Sequence, residues 1–164
     1  MNYYEVRALD PVTDEPLFKE AYEWILAAPD WFQYLEGVVA TINGCYSWHD
    51  YLKAAAAPTE YNIGLFNGKL RAVYTIQDQK DRSFQVHIGA EKGVDETALV
   101  NGAIQLKDWL FEHGAVEVFG YLASVNRPMR RFAERAGFSY CGLSVFKGSL
   151  NDKPVRWLRY SAAH

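Results

Sequence analysis

One α/β domain on a mostly antiparallel sheet is the fold class that this sequence predicts, and three observations predict it. The chain has 164 residues, within the usual range for one domain and long enough to bury a core. Its apolar residues follow helical spacing at first, switch to period two from Tyr61, and then alternate helix, strand, helix, strand. No repeat, low-complexity tract or linker interrupts the chain.

YYEVRALDP (Tyr3 to Pro11) alternates Tyr4, Val6 and Ala8 against Tyr3, Glu5 and Arg7, and Asp10-Pro11 ends this first strand. Asp14 to Pro29 reads as a helix capped by Asp14, with Pro16 in its first turn and Leu17, Ala21, Trp24, Ile25 and Ala28 along one face. Asp30 to Ala40 reads as a second helix, and Ser47 to Ala57 as a short third one ended by Pro58. Tyr61 to Phe66, the turn Asn67-Gly68 and Lys69 to Asp78 carry the strongest short-range hairpin signal. A second turn, Gln79 to Arg82, leads into Ser83 to Ala90, giving three antiparallel strands in succession. A long helix from Thr97 to His113 stops at Gly114, and Ala115 to Ala123 is a strand. Asn126 then opens a helix with Met129, Phe132, Ala133 and Ala136 at helical spacing, and strands Phe138 to Phe146 and Pro154 to Ala162 follow. The order is β-α-α-β-β-β-α-β-α-β-β. The helix crossover from Ser83 to Ala123 should create one parallel pair.

A net charge of −3 and a pI near 5.8 give no general attraction to nucleic acid or anionic membrane. No apolar run approaches the roughly 18 residues of a membrane span, and MNYYEVRALD lacks the basic and apolar regions of a signal peptide. An intracellular, cytoplasmic setting is therefore expected, with Cys45 and Cys141 as buried free thiols, since the two are not at metal-ligand spacing. His49 and His113 bring no ligand partner, and no metal site is expected.

The element order, together with VNRPMRRFAERAGF (Val125 to Phe138), resembles the GCN5-related N-acetyltransferase (GNAT) superfamily over essentially the whole chain. Asn126 stands near the start of the penultimate helix, and Gly137-Phe138 begins a strand eleven residues later, as in that family. The resemblance implies an acetyl-CoA site where two parallel strands splay after a bulge, here Val86-His87-Ile88-Gly89 and Phe119-Gly120-Tyr121. The bared backbone groups would bind the pantetheine arm and polarise the thioester. The implied cofactor-binding residues are Ile88, Gly89, Lys92, Gly93, Val94, Asn126, Arg130 and Phe132. The pyrophosphate would meet the following helix N-terminus. His87, Asn126 and Tyr121 are the implied catalytic candidates, His87 because an imidazole with a pKa of about 6.5 suits proton acceptance. Glu117, Ser124 and Tyr140 are further candidates. Asn126 equally suits the role of helix cap.

The chain departs from the family's pattern at two places. EKGVDET (Glu91 to Thr97) has one Gly where two are usual, and Asp95 and Glu96 lie where phosphates would approach. Ala133 occupies the position at which many members carry a Tyr that reprotonates the departing thiolate. Two readings follow. One is an acetyl-CoA-dependent N-acetyltransferase acting on a primary amine of a peptide or small molecule by direct attack. The other is a GNAT-fold protein without catalysis that serves as a binding or structural component, for example in a phage virion. Trp24, Trp31, Phe32, Tyr34, Tyr46, Trp48 and Tyr51 would frame the acceptor groove, and the aromatic load also suits a homodimer or a protein partner.

Overall fold

The computed structural model describes residues 3–27, 48–150 and 152–163. In chain order its elements are β1 (Glu5–Leu9), α1 (Glu15–Leu26), α2 (Trp48–Ala55), β2 (Glu60–Phe66), β3 (Leu70–Asp78), β4 (Ser83–Ala90), α3 (Glu96–Glu112), β5 (Glu117–Ala123), α4 (Arg127–Arg135), β6 (Ser139–Leu150) and β7 (Lys153–Ala163). The expected helix from Asp30 to Ala40 lies outside the described residues, as do Cys45, Trp31, Phe32, Tyr34 and Tyr46. The other expected elements are present in the expected order. The strands form a seven-stranded sheet ordered β1-β2-β3-β4-β5-β7-β6. All neighbours are antiparallel except β4 and β5, which are parallel as the crossover through α3 requires.

Local chemistry sets the joints. The Asp14 carboxylate accepts from the Asp10 amide at 2.8 Å and pairs with Arg7 at 3.2 Å, closing the turn between β1 and α1. Asp10 in turn accepts from the amides of Thr13 and Val12, and those bonds hold its carboxyl below the usual range. Gly68 adopts φ 71° in the hairpin turn, as the Asn-Gly signal requires. Between β3 and β4 the non-glycine residues Lys80, Asp81 and Arg82 all take positive φ, between 52° and 73°. The Lys80 amide bonds the Asp78 side chain at 2.9 Å, which helps to hold that conformation.

Strand alternation sorts the side chains onto two faces. On one face, Ile76 and Val118 join Val100 and Leu110 of α3, Ala133 of α4 and Leu158 and Tyr160 of β7 in the larger core. On the other, Leu9 and Val73 pack with Phe18 and Ala21 of α1 and Ala55 of α2. Tyr74 ties α3 to the sheet, its hydroxyl donating to the Leu99 carbonyl at 2.7 Å. Gly102 makes that approach available, since a Cβ there would lie 2.4 Å from the Tyr74 hydroxyl.

One sequence expectation about burial fails. Cys141 is exposed rather than buried. It lies on β6, the outermost strand, between Tyr140 and Ser144 where the register with β7 shifts, and the next residue, Gly142, has φ 86°. That irregularity turns an otherwise apolar stretch outward. A second shift separates Phe146 from Ser149.

Candidate active site

The sheet opens between β4 and β5. Their ladder runs from Ser83↔Glu117 through Phe84↔Val118 to Gln85↔Phe119 and ends there, although β4 continues to Ala90 and β5 to Ala123. Each strand keeps its outer partner throughout, β4 with β3 and β5 with β7. The edges facing the gap are therefore backbone N–H and C=O groups outside any ladder, at the predicted residues Val86 to Gly89 and Gly120 to Tyr121. The predicted bulge is not what opens it: β4 pairs β3 in unbroken register from Phe84 to Ala90. Divergence of two strands, each held by its outer neighbour, suffices. At the apex the backbones remain close, so that a Cβ on Gly120 would lie 3.1 Å from the Val86 carbonyl oxygen.

A cleft of about 540 Å³ passes through this gap and is lined by both sheet faces. On the side of α3 and α4 its walls are mainly apolar, including Leu106, Met129, Phe132 and Ala133. On the side of α1 and α2 they include Ala21 and Tyr51, with a polar floor drawn from three strands. Asn62, Thr75 and His87 fall on one line across β2, β3 and β4, and Glu60, Gln77 and Gln85 on the next. The Gln77 amide nitrogen donates to Glu60, and its oxygen lies 3.1 Å from His87 Nε2. Thr75 donates to Asn62 at 3.0 Å, and Asn62 donates to the Ala55 carbonyl at 3.1 Å. Burial pushes the Glu60 carboxyl above its usual range against the opposing bond from Gln77. Burial, followed by the nearby Glu60 charge, pushes the Tyr51 phenol up to about 12.

The cleft collects His87, Ile88, Gly89, Tyr121 and Phe132 from the predicted set. His87 is half-buried on the α1–α2 face, and Tyr121 lies on the same face with its ring edge-on to Phe119 at 6.0 Å. The remaining candidates are not among the cleft walls. Asn126 is 3% exposed and caps α4, accepting from the Met129 amide at 3.2 Å. Arg130 turns to the Tyr160 hydroxyl at 3.1 Å and the Ser124 carbonyl at 3.3 Å, contacts that engage its guanidinium within the protein. Lys92, Gly93 and Val94 form the turn before α3, with Gly93 at φ 84°. Asp95 caps α3 by accepting from the Thr97 amide at 2.9 Å. Glu117 is held by Arg159, with both carboxylate oxygens 2.8 Å from the guanidinium, so it is engaged as an ion-pair partner. Tyr140 lies on β6, bonded to Arg156 at 3.1 Å.

Glu60, Asn62, Thr75, Gln77 and Lys107 were missed. The signal for the first four is polar residues recurring every second position in strands that otherwise carry core residues. Lys107 donates to the Ala136 carbonyl at the end of α4 at 3.0 Å. This explains Gly137, where φ is 87° and a Cβ would lie 2.6 Å from the Lys107 ammonium.

The arrangement suits an extended acyl-thioester arm. The gap offers backbone donors and acceptors, and the apolar wall of Met129, Phe132 and Leu106 accepts methylene groups. The turn before α3 fits a pyrophosphate less well, since Asp95 already occupies a helix amide and Glu91 takes both Lys69 (2.6 Å) and Arg71 (2.7 Å). Among the described residues no cluster of His, Cys, Asp and Glu could hold a metal ion, and no helix is long and apolar enough to cross a membrane.

No family model matches the sequence, and no curated protein matches it either. Solved structures do match. The ribosomal-protein-S18-alanine N-acetyltransferase of Escherichia coli superposes with a TM-score of 0.72 at 15% identity, over 98% of this chain and 94% of that one. A GNAT-family acetyltransferase of Streptococcus pneumoniae gives 0.68 at 16% identity, over 98% and 99%. A ribosomal L7/L12 alpha-N-protein acetyltransferase in complex with coenzyme A gives 0.71 at 14% identity, over 99% and 95%. The fold is that of the GNAT acetyltransferases, as the sequence resemblance implied.

Proposed function

We propose that this GNAT-fold chain is an acetyl-CoA-dependent N-acetyltransferase in which a primary amine attacks the thioester directly. The observation that carries the reading is the gap between β4 and β5, opening onto a cleft lined by both faces of the sheet. It gives cofactor and acceptor separate approaches to one point. Acetyl-CoA supplies the activated acetyl group. Ile88, Gly89 and Phe132 would hold its arm, and the backbone at the gap would stabilise charge developing on the carbonyl oxygen. His87, on the acceptor side, takes the proton that leaves the attacking ammonium.

The acceptor is a single amine, such as a peptide N-terminus, rather than a polyamine. Glu60 is the only carboxylate on the described walls, and it is already hydrogen-bonded to Gln77. Structural neighbours include acetyltransferases of ribosomal proteins and of spermidine alike, so the choice of acceptor rests on the cleft walls. A second reading, a binding or structural protein without catalysis, draws support from Asp95 capping α3 and from Ala133. The transferase reading carries residence in the cytoplasm, and the non-catalytic reading carries association with a phage virion.

Thermal unfolding with millimolar acetyl-CoA separates the two. Ligand at a hundred times its Kd stabilises the native state by about 2.7 kcal/mol, worth several degrees of Tm in a domain of this size. Gly120→Ala, which narrows the gap at Val86, should shrink the shift, and turnover should be seen with short peptides. An unchanged Tm together with no thiol release from any amine would leave the non-catalytic reading.

A further inference from the structure

Gln85 ends the polar floor at the point where the sheet opens. It stands on one line with Glu60 and Gln77, and its pairing with Phe119 is the last rung before β4 and β5 part. Its side chain lines the cleft, yet the residue is only 8% exposed. Among the described residues its side-chain amide makes no hydrogen bond, and its neighbours explain why. Gln77 has turned its own amide to Glu60 and His87. Phe119 offers only a ring, against which the Arg159 guanidinium packs at 3.9 Å. A buried amide without a partner is costly, and folded proteins keep few of them.

We infer that Gln85 is a specificity-determining residue whose side-chain amide hydrogen-bonds the first peptide group of the acceptor, so that the site favours a peptide N-terminus over a plain alkylamine. The inference rests on the acetyltransferase reading and narrows its acceptor class. Alternate residues of a strand share a face, so Gln85 lies on the α1–α2 side with His87, the side from which the acceptor enters. A side-chain amide presents one acceptor oxygen and one donor nitrogen, the complement of a peptide group. In a peptide N-terminus that group adjoins the carbon bearing the amine. An amine at the gap beside His87 therefore brings the peptide group within reach of the next residue along the same face. Binding satisfies an amide that the folded chain leaves without a partner, whereas an acceptor lacking a peptide group covers Gln85 and leaves it unpaired.

The test compares alaninamide with isopropylamine, in which a methyl group replaces the amide. Gln85→Met should lower kcat/KM for alaninamide about five- to tenfold and leave that for isopropylamine within about twofold, as loss of one hydrogen bond to the acceptor requires. Equal losses with both amines, or none with either, overturn the inference. Since Gln85 has no hydrogen bond to lose within the described residues, Gln85→Met should keep the urea midpoint of wild type or raise it. A lowered midpoint would make Gln85 a structural residue and overturn the inference as well. Binding is read separately by NMR of the Gln85 side-chain amide, identified by its loss in Gln85→Met. That resonance should shift with alaninamide and not with isopropylamine, and a shift with neither overturns the inference. If it shifts as expected while acetyl-CoA neither binds nor turns over, the transferase reading fails and the peptide contact stands.

Discussion

Replacing Gly102 by Ala tests how α3 is fastened to the sheet. Helix propensity alone favours the change by about 1 kcal/mol. The structure opposes it, because the new methyl carbon would sit 2.4 Å from the Tyr74 hydroxyl and 3.0 Å from the ring carbon that bears it. Tyr74 is 3% exposed and packed with Leu65, Ala72 and Ala98. Displacing it breaks the bond to the Leu99 carbonyl, a buried partner loss of about 1–3 kcal/mol, and overpacks the core by about 1–3 kcal/mol more. The net expectation is a loss of about 1–5 kcal/mol, read as a lower urea midpoint at constant m-value. In a Tyr74→Phe background the same substitution should cost less, with a coupling of about 0.5–3 kcal/mol between the two sites. A Gly102→Ala protein more stable than wild type, or additive behaviour in the double variant, would refute the reasoning.

Two other outcomes are expected. Glu60 has a folded-state pKa above its ordinary 4.5, so its contribution to stability is fully present below 4.5 and is lost as pH rises through the raised value. Wild type should therefore lose Tm relative to Glu60→Gln from about pH 4.5 upward, and a pH-independent difference would contradict the burial argument. Asn126→Ala should lower stability by about 1 kcal/mol through loss of the α4 cap, measured by urea unfolding. An unchanged midpoint would mean that the Met129 amide finds another partner.

Most of the element order was legible in the sequence because each element writes its own period. The Asn67-Gly68 turn fixed one register, and the glycines at 89 and 120 marked the gap. The polar floor was not legible, because it joins residues far apart in the chain: Gln77 meets Glu60 across 17 positions and His87 across 10, and only strand pairing brings them together. The partner of Arg130 was hidden for the same reason. A helix of arginines reads as an anion-binding face, but the Tyr160 hydroxyl that engages Arg130 lies 30 residues further on. Cys141 misled because its neighbours are apolar, while burial depended on its strand being the last in the sheet.

That last strand has a consequence for life in a crowded solution. A long outer strand bearing Leu143, Val145 and Phe146, which are 58%, 47% and 69% exposed, is a template on which another chain could add a strand. The two shifts in β6, with Gly142 and Gly148 at positive φ, break that template into short pieces out of phase with one another. An incoming strand cannot pair with all of them at once. The irregularity that exposes Cys141 thus also acts as a guard against aggregation.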